Sequence, residues 1–457
     1  MRKQPYDVCF EADLVYPGEA SRDGMTPCVI GKDIKFDPDA MQGFVPGEWQ
    51  TVIYDAMLIV AAVEVCDHSK TRAKMDWARN LRVGIPVHEP ARWMDPAVKG
   101  PLLRALQLLT GDNWTIEFRK TPEPQPGPAQ RGLGFPHYAD MIIPFSDGLD
   151  SQAVAGILAT ERANEVMVRV RVGASRIKKP SIGKQTNPFE NVPFTVKRVL
   201  AGNGESSGRS RGFKFGVLSG MAAYLIGADK VIVPESGQGS LGPVLVNVGQ
   251  SHFDRRTHPL FTFMISDFLE ALFGKRILFE HPMIFGTKGQ TLATYRSIFP
   301  DHQIWTDTRS CWMDQRHASI SGDYRQCGIC AACMLRRTSL HAGGYSEHPN
   351  NYIWEDLSAA KFRDGANSSF GKHNNSQREY AIAGTLHMDH LAALRHMENF
   401  DTLVVRQALP LARAMGFEVD HVKKKIINMI EVHAEEWRAF LDELSPQSFV
   451  REWAETT

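Results

Sequence analysis

Met141-Ile142-Ile143-Pro144-Phe145-Ser146-Asp147-Gly148-Leu149-Asp150-Ser151 is where this chain declares its architecture. The apolar run Met141–Phe145 has the length of a buried strand. From Asp150 to Arg162, Ala153, Val154, Ile157 and Leu158 recur on one helical face. Between the two lies a short turn of Ser, Asp and Gly. A strand entering a helix through such a turn aims unpartnered N–H groups and a positive helix end at one point, a natural anion site. The hydroxyls of Ser146 and Ser151 add donors, and Asp150 can cap the helix or meet Mg2+. The plain alternative is ordinary turn chemistry ahead of a capped helix.

The same alternation continues outward from this turn. Glu165–Val172 and Pro193–Leu200 read as strands, Arg211–Gly227 as a helix, and Lys230–Pro234 as another buried strand. Strand, helix and strand at these lengths imply βαβ units and a mainly parallel sheet, an α/β fold. Before it, residues 1–120 read as a small α+β accessory domain. Its strands are expected at Asp7–Leu14, Leu81–Val87 and Thr115–Arg119, and its helices at Glu48–Cys66 and Ala97–Leu109. Residues 121–136 are rich in Pro and Gly and read as an extended linker. Residues 137–344 form the α/β domain, and 345–457 a mainly helical region with a polar loop at 364–378.

Composition narrows the function. With 43% hydrophobic and 23% charged residues, the chain reads as an ordinary globular protein. No apolar run approaches the ~18–20 residues of a membrane span. The opening residues carry acidic groups too early for a secretory signal, so a cytoplasmic protein is expected. Lys plus Arg and Asp plus Glu each total 52, a net charge of zero, which gives no strong nucleic-acid signal. The basic run Arg176–Lys184 reads as a solvated loop.

Four of the seven cysteines crowd into one stretch: Cys311, then Cys327, Cys330 and Cys333. Four thiolates suit a closed tetrahedral Zn2+ site, which leaves no position for substrate and so reads as structural. An iron–sulfur cluster is the rival occupant. Cys9, Cys28 and Cys66 read as plain thiols.

SDGLDS resembles S-G-G-x-D-S, the signature of PP-loop ATP pyrophosphatases, with Asp147 in place of the second residue, Gly. Asp tolerates a left-handed turn better than most residues. Followed by the cysteine cluster, the motif resembles the 7-cyano-7-deazaguanine synthase family over roughly residues 140–344, less than half of the chain. Gly208-Arg209-Ser210 is similar to that family's P-G-R-N segment, with Ser207 and Ser210 as departures. Glu235 after KVIVP, Asp254–Phe261, Gly286-Thr287-Lys288 and Arg336 are similar to its remaining motifs. The loops at Ser146, Asn203–Arg209 and Glu235 are expected to follow strands of one sheet and to meet at its carboxyl ends.

The resemblance implies a PP-loop fold of the adenine-nucleotide α-hydrolase (HUP-like) type with ATP, Mg2+ and Zn2+. It implies adenylation of 7-carboxy-7-deazaguanine or a close analogue, followed by amine attack. In that picture Ser146, Asp147, Gly148, Leu149, Asp150 and Ser151 bind the nucleotide. Lys288, Arg209 and Asp150 are catalytic, Glu235, Asp254 and Arg256 meet the base, and the four cysteines hold zinc. The flanking regions resemble enlarged relatives in bacterial anti-phage defence, where the acceptor is a partner protein's N-terminal amine. The alternatives are an ordinary synthase using ammonia, a tRNA-modifying sulfur transferase, and a non-catalytic nucleotide-binding subunit.

Overall fold

The computed structural model describes residues 8–43, 49–72, 78–122, 138–146, 148–173, 188–201, 204–205, 208–248, 252–306, 308–313, 317–371 and 373–454. Asp147, Asn203, Ser207, Arg176–Lys184 and most of the expected linker lie outside the described residues. The described strands, in chain order, are β1 (Cys9–Val15), β2 (Thr26–Val29), β3 (Ile34–Phe36), β4 (Asn80–Val87), β5 (Asn113–Lys120), β6 (Met141–Pro144), β7 (Met167–Val170), β8 (Val172–Gly173), β9 (Val192–Val196), β10 (Lys230–Ile232), β11 (Leu278–Glu280), β12 (Ser319–Ile320) and β13 (Asp323–Tyr324). The fold is mixed α/β with two four-stranded parallel sheets, ordered β2-β1-β4-β5 and β11-β10-β6-β7.

The chain divides into two compact units made of interleaved segments. The first comprises Met1–Phe145, Ala163–Val233 and Asp254–Glu280, and it contains both parallel sheets. Of the N-terminal strands, expected as α+β, β3 pairs antiparallel with β9, whereas β1, β2, β4 and β5 pair in parallel. The cause is their connections: helix Thr51–Ser69 lies between β3 and β4, and helix Pro96–Thr110 between β4 and β5, the crossovers that parallel pairing needs. Nearly every side chain of helix Thr51–Ser69 is buried, as its unbroken apolar run Ala56–Val63 requires. One core joins this sheet, through Leu14, Val83 and Ile116, to helices Arg211–Leu225 and Pro259–Phe273, through Phe213 and Phe268. Inside this unit Arg79, almost fully buried, is held by both Asp67 and Asp112 at 2.6 and 2.7 Å.

One expectation about the sheet is corrected. The segment before Arg209 does not follow a strand of the β6–β10 sheet. Its strand, β9, pairs antiparallel with β3 and parallel with β8 in a separate three-stranded sheet. Phe194 and Ile34 are buried in the first unit's core, which draws β9 toward the N-terminal segment.

The second unit comprises Ser146–Arg162, Pro234–Phe253 and His281–Thr457. Helix Leu149–Glu161 packs on helix Lys288–Ile298 around Leu149, Ala153, Ile157, Leu292 and Tyr295. Each buried leucine or isoleucine there is worth ~1.5–3 kcal/mol over its exposed state. Gly156 sets the spacing, since a Cβ there would lie 2.6 Å from the Tyr295 ring. The helical C-terminal region contributes Asn375–Ala393, Phe400–Met415 and Val419–Asp442. Among the described residues, no helix is long and apolar enough to cross a membrane.

Candidate functional site

The loop after β6 is tied by its serines. Ser151 Oγ donates to the carbonyl oxygens of Ser146 (2.8 Å) and Gly148 (3.1 Å), and Gly148 N–H donates to Ser146 Oγ (3.1 Å). A Cβ at 148 would sit 2.9 Å from Ser146 Oγ, so a larger residue there would push that hydroxyl from its place in the loop. Gly148 is the N-cap of helix Leu149–Glu161 and supplies no side-chain cap. The first-turn N–H groups of such a helix have no intrahelical acceptor and suit an anion.

Packing of the two helices brings Lys288 to this loop. Lys288 Nζ lies 2.5 Å from Asp150 Oδ2, with the lysine side chain buried and the carboxylate about one-fifth exposed. Lys288 opens its helix, and Thr287 is its N-cap in a capping box with Gln290. An ammonium and a carboxylate, each at the first turn of a helix, form a charged pair beside backbone donors.

Lys288 is also held from behind. Its N–H donates to Gln238 Oε1 at 2.8 Å. Gln238 Nε2 meets His433 Nδ1 at 2.8 Å and Glu436 Oε2 at 3.4 Å. Thr287 Oγ donates to Glu436 Oε1 at 2.5 Å. Reading the sequence did not reveal Gln238, His433 or Glu436. One signal was present: His433 interrupts the stripe Val422, Ile426, Met429, Ile430, Trp437, Phe440, and a histidine on an apolar stripe needs a buried partner. Glu235, on the turn before Gly237–Ser240 in the same unit, lays its carboxylate over Gly239.

The remaining expected residues belong to the first unit. Arg209 is buried and donates to the Thr110 carbonyl at 3.1 Å. Burial, then the neighbouring Arg72, lowers its guanidinium to about 10. Arg256 grips Asp254 at 2.5 Å, and its backbone lies where a Cβ on Gly212 would collide. The Asp254–Arg256 segment therefore packs on the start of helix Arg211–Leu225. The structure thus joins Asp150 to Lys288 in one unit, and sets Asp254 against Arg256 beside that helix start in the other.

The four thiols of Cys311, Cys327, Cys330 and Cys333 lie within 4.8 Å of one another and could hold a metal ion. Gly328, at φ +86°, turns the chain so that Ile329 and Cys330 N–H groups point at Cys327 Sγ, 3.4 and 3.3 Å away. Cys311 Sγ accepts from Met313 N–H and Cys327 N–H at 3.3 and 3.2 Å. Hydrogen bonds from the other three thiols pull Cys311 toward the thiolate, while burial pushes Cys327 and Cys333 up. A bound cation favours all four as thiolates. Arg336 is taken up by Glu347 at 2.8 Å, by Thr308 and by the Trp305 carbonyl, and so braces this region.

No protein-family model matches the chain, and no curated protein matches it.

Proposed function

We propose that this protein is an AMP-forming ligase of the PP-loop type that adenylates the carboxylate of 7-carboxy-7-deazaguanine or a close analogue. The observation that carries the reading is the Lys288–Asp150 pair, set beside a serine-tied loop at the start of a helix. A carboxylate oxygen of the substrate attacks the α-phosphorus of ATP and pyrophosphate leaves. An amine then attacks the acyl carbon and AMP leaves. Ser146, Gly148, Leu149 and Ser151 receive the pyrophosphate, and Lys288 offsets the charge that develops, the effect of positioned donors and cations.

Mg2+ keeps much of its water and takes phosphate oxygens, so one or two protein carboxylates suffice. Asp150, partly exposed at the loop, would hold it, and the ion would neutralise charge on the leaving group. Zn2+ is the assigned occupant of the four-cysteine site, with a structural role. Glu235, in the same unit as Lys288, is assigned to the purine-like base.

The acceptor is assigned to the N-terminal amine of a partner protein, in an anti-phage defence setting. The flanking regions support this reading, since a protein acceptor needs docking surface that ammonia does not. Substrate-dependent exchange of pyrophosphate into ATP tests the adenylation. Intact-mass analysis of a co-expressed partner tests the acceptor, and an unmodified partner beside free 7-cyano-7-deazaguanine would return ammonia to that role.

A further inference from the structure

The long helix Val419–Asp442 carries one polar side chain on its apolar stripe and another at the border of that stripe. His433 is fully buried, and Glu436, one turn on, reaches Thr287 and Gln238. Burying such groups costs free energy unless each finds a partner, and two of the partners here, Gln238 and Thr287, lead to Lys288. The amide of Gln238 has one orientation that fits. Its oxygen accepts the Lys288 N–H, so its nitrogen must face acceptors, and His433 Nδ1 and Glu436 Oε2 are those acceptors. His433 then carries its proton on Nε2 and gives it to the Met388 carbonyl at 2.8 Å. The second arm runs from Glu436 through Thr287, the residue that caps the Lys288 helix.

We propose that Glu436, assisted by His433, is a positioning residue for Lys288, fixing through Thr287 and Gln238 the helix turn that carries the ammonium to Asp150. This rests on the adenylation reading in that Lys288 is taken to act on ATP. It gives the helical region a part in the chemistry beyond docking. A displacement of ~1 Å in a catalytic group can cost on the order of 10²-fold in rate, so a residue that touches no substrate can still set it.

The carboxylate form suits both donors. Burial pushes Glu436 up to about 7, against the hydrogen bonds from Thr287 and Gln238 that lower it, with Glu435 adding to the rise. The titratable groups around it are Glu435 and His433 on its own helix and His341 across an open groove of about 410 Å³. Lys288 contributes its backbone to the network and turns its ammonium to Asp150. Protonation puts a donor on Glu436 where two donors already point, and the hold weakens.

The experiment compares the full chain with Glu436→Gln and, as a second route to the same contact, Thr287→Val. AMP release is followed over pH 6–9, with melting temperature measured alongside. The expected result is kcat lower by about 10-fold, KM for ATP within about 2-fold, and loss in Glu436→Gln of an acid limb near pH 7. Unchanged kcat and pH profile in folded variants would overturn the proposal and leave Glu436 a packing residue. A wild type that forms no AMP would sink the adenylation reading without deciding this one. Competitive acylation of lysines, read by mass spectrometry, decides it then. Lys288 should label several-fold faster in either variant, and equal labelling would overturn the proposal.

Discussion

Two regions of the second unit bind charge in opposite ways. The cysteine site is local: four like ligands from one stretch, Cys311 to Cys333, close on a single point through a glycine turn and backbone N–H groups. The Lys288 site is assembled from afar. Lys288 meets Asp150 across 138 positions and Gln238 across 50, and Thr287 meets Glu436 across 149. A local site has its ligands written side by side, whereas a distributed one depends on how helices pack. The first should fail as a unit of folding, and the second as a unit of function.

The largest expected effect breaks the local site. Cys327→Ser or Cys330→Ser should yield insoluble protein or lose several kcal/mol of stability, because a structural metal contributes directly to folding. Elemental analysis of the wild type should give about one Zn2+ per chain. Iron with a visible chromophore would replace zinc by a cluster.

Next come the loop and its lysine, where function should fall while the fold holds. Ser146→Ala and Lys288→Ala should each lower AMP formation by on the order of 10²-fold or more. Near wild-type yields in both would move the chemistry elsewhere.

A double-mutant cycle on Asp150 and Lys288 sharpens the contrast further. Asp150→Ala leaves a buried ammonium without its partner and should cost ~2–3 kcal/mol, less than a fully buried pair because Asp150 is partly exposed. Lys288→Met in the Asp150→Ala background should recover much of that loss. Strict additivity in denaturant melts would show that the pair is not coupled.

How much of this was legible follows the same division. The strand at Met141, the helix after it and the zinc-type spacing are set by neighbours in sequence, and each is found within two or three residues of its expected place. The helices at Thr51–Ser69 and Pro96–Thr110 were legible for the same reason. The partner of β9 was not, because a three-residue strand such as Ile34–Phe36 carries too little pattern to announce its pairing. Nor was Glu436: on an amphipathic helix, a glutamate at the border of the apolar stripe looks solvated until its neighbour is known. His433 was the readable trace of that arrangement.

The smallest expected effect lies at that histidine. Burial lowers His433 from 6.5 to about 4. A depressed histidine stabilises the fold above its unfolded value and loses that contribution as pH falls from about 6.5 through about 4. Melting temperature should therefore drop over this window, and His433→Asn should flatten part of the slope. Parallel slopes in both proteins would assign the acid loss to other groups.

The central claim is that the Lys288 site activates a carboxylate with ATP. The direct measurement is exchange of radiolabelled pyrophosphate into ATP by the full chain, with 7-carboxy-7-deazaguanine present or omitted. The account predicts exchange that requires this substrate and Mg2+ and is abolished by Lys288→Ala. Exchange absent from a folded, zinc-loaded wild type, or undiminished in Lys288→Ala, would contradict it.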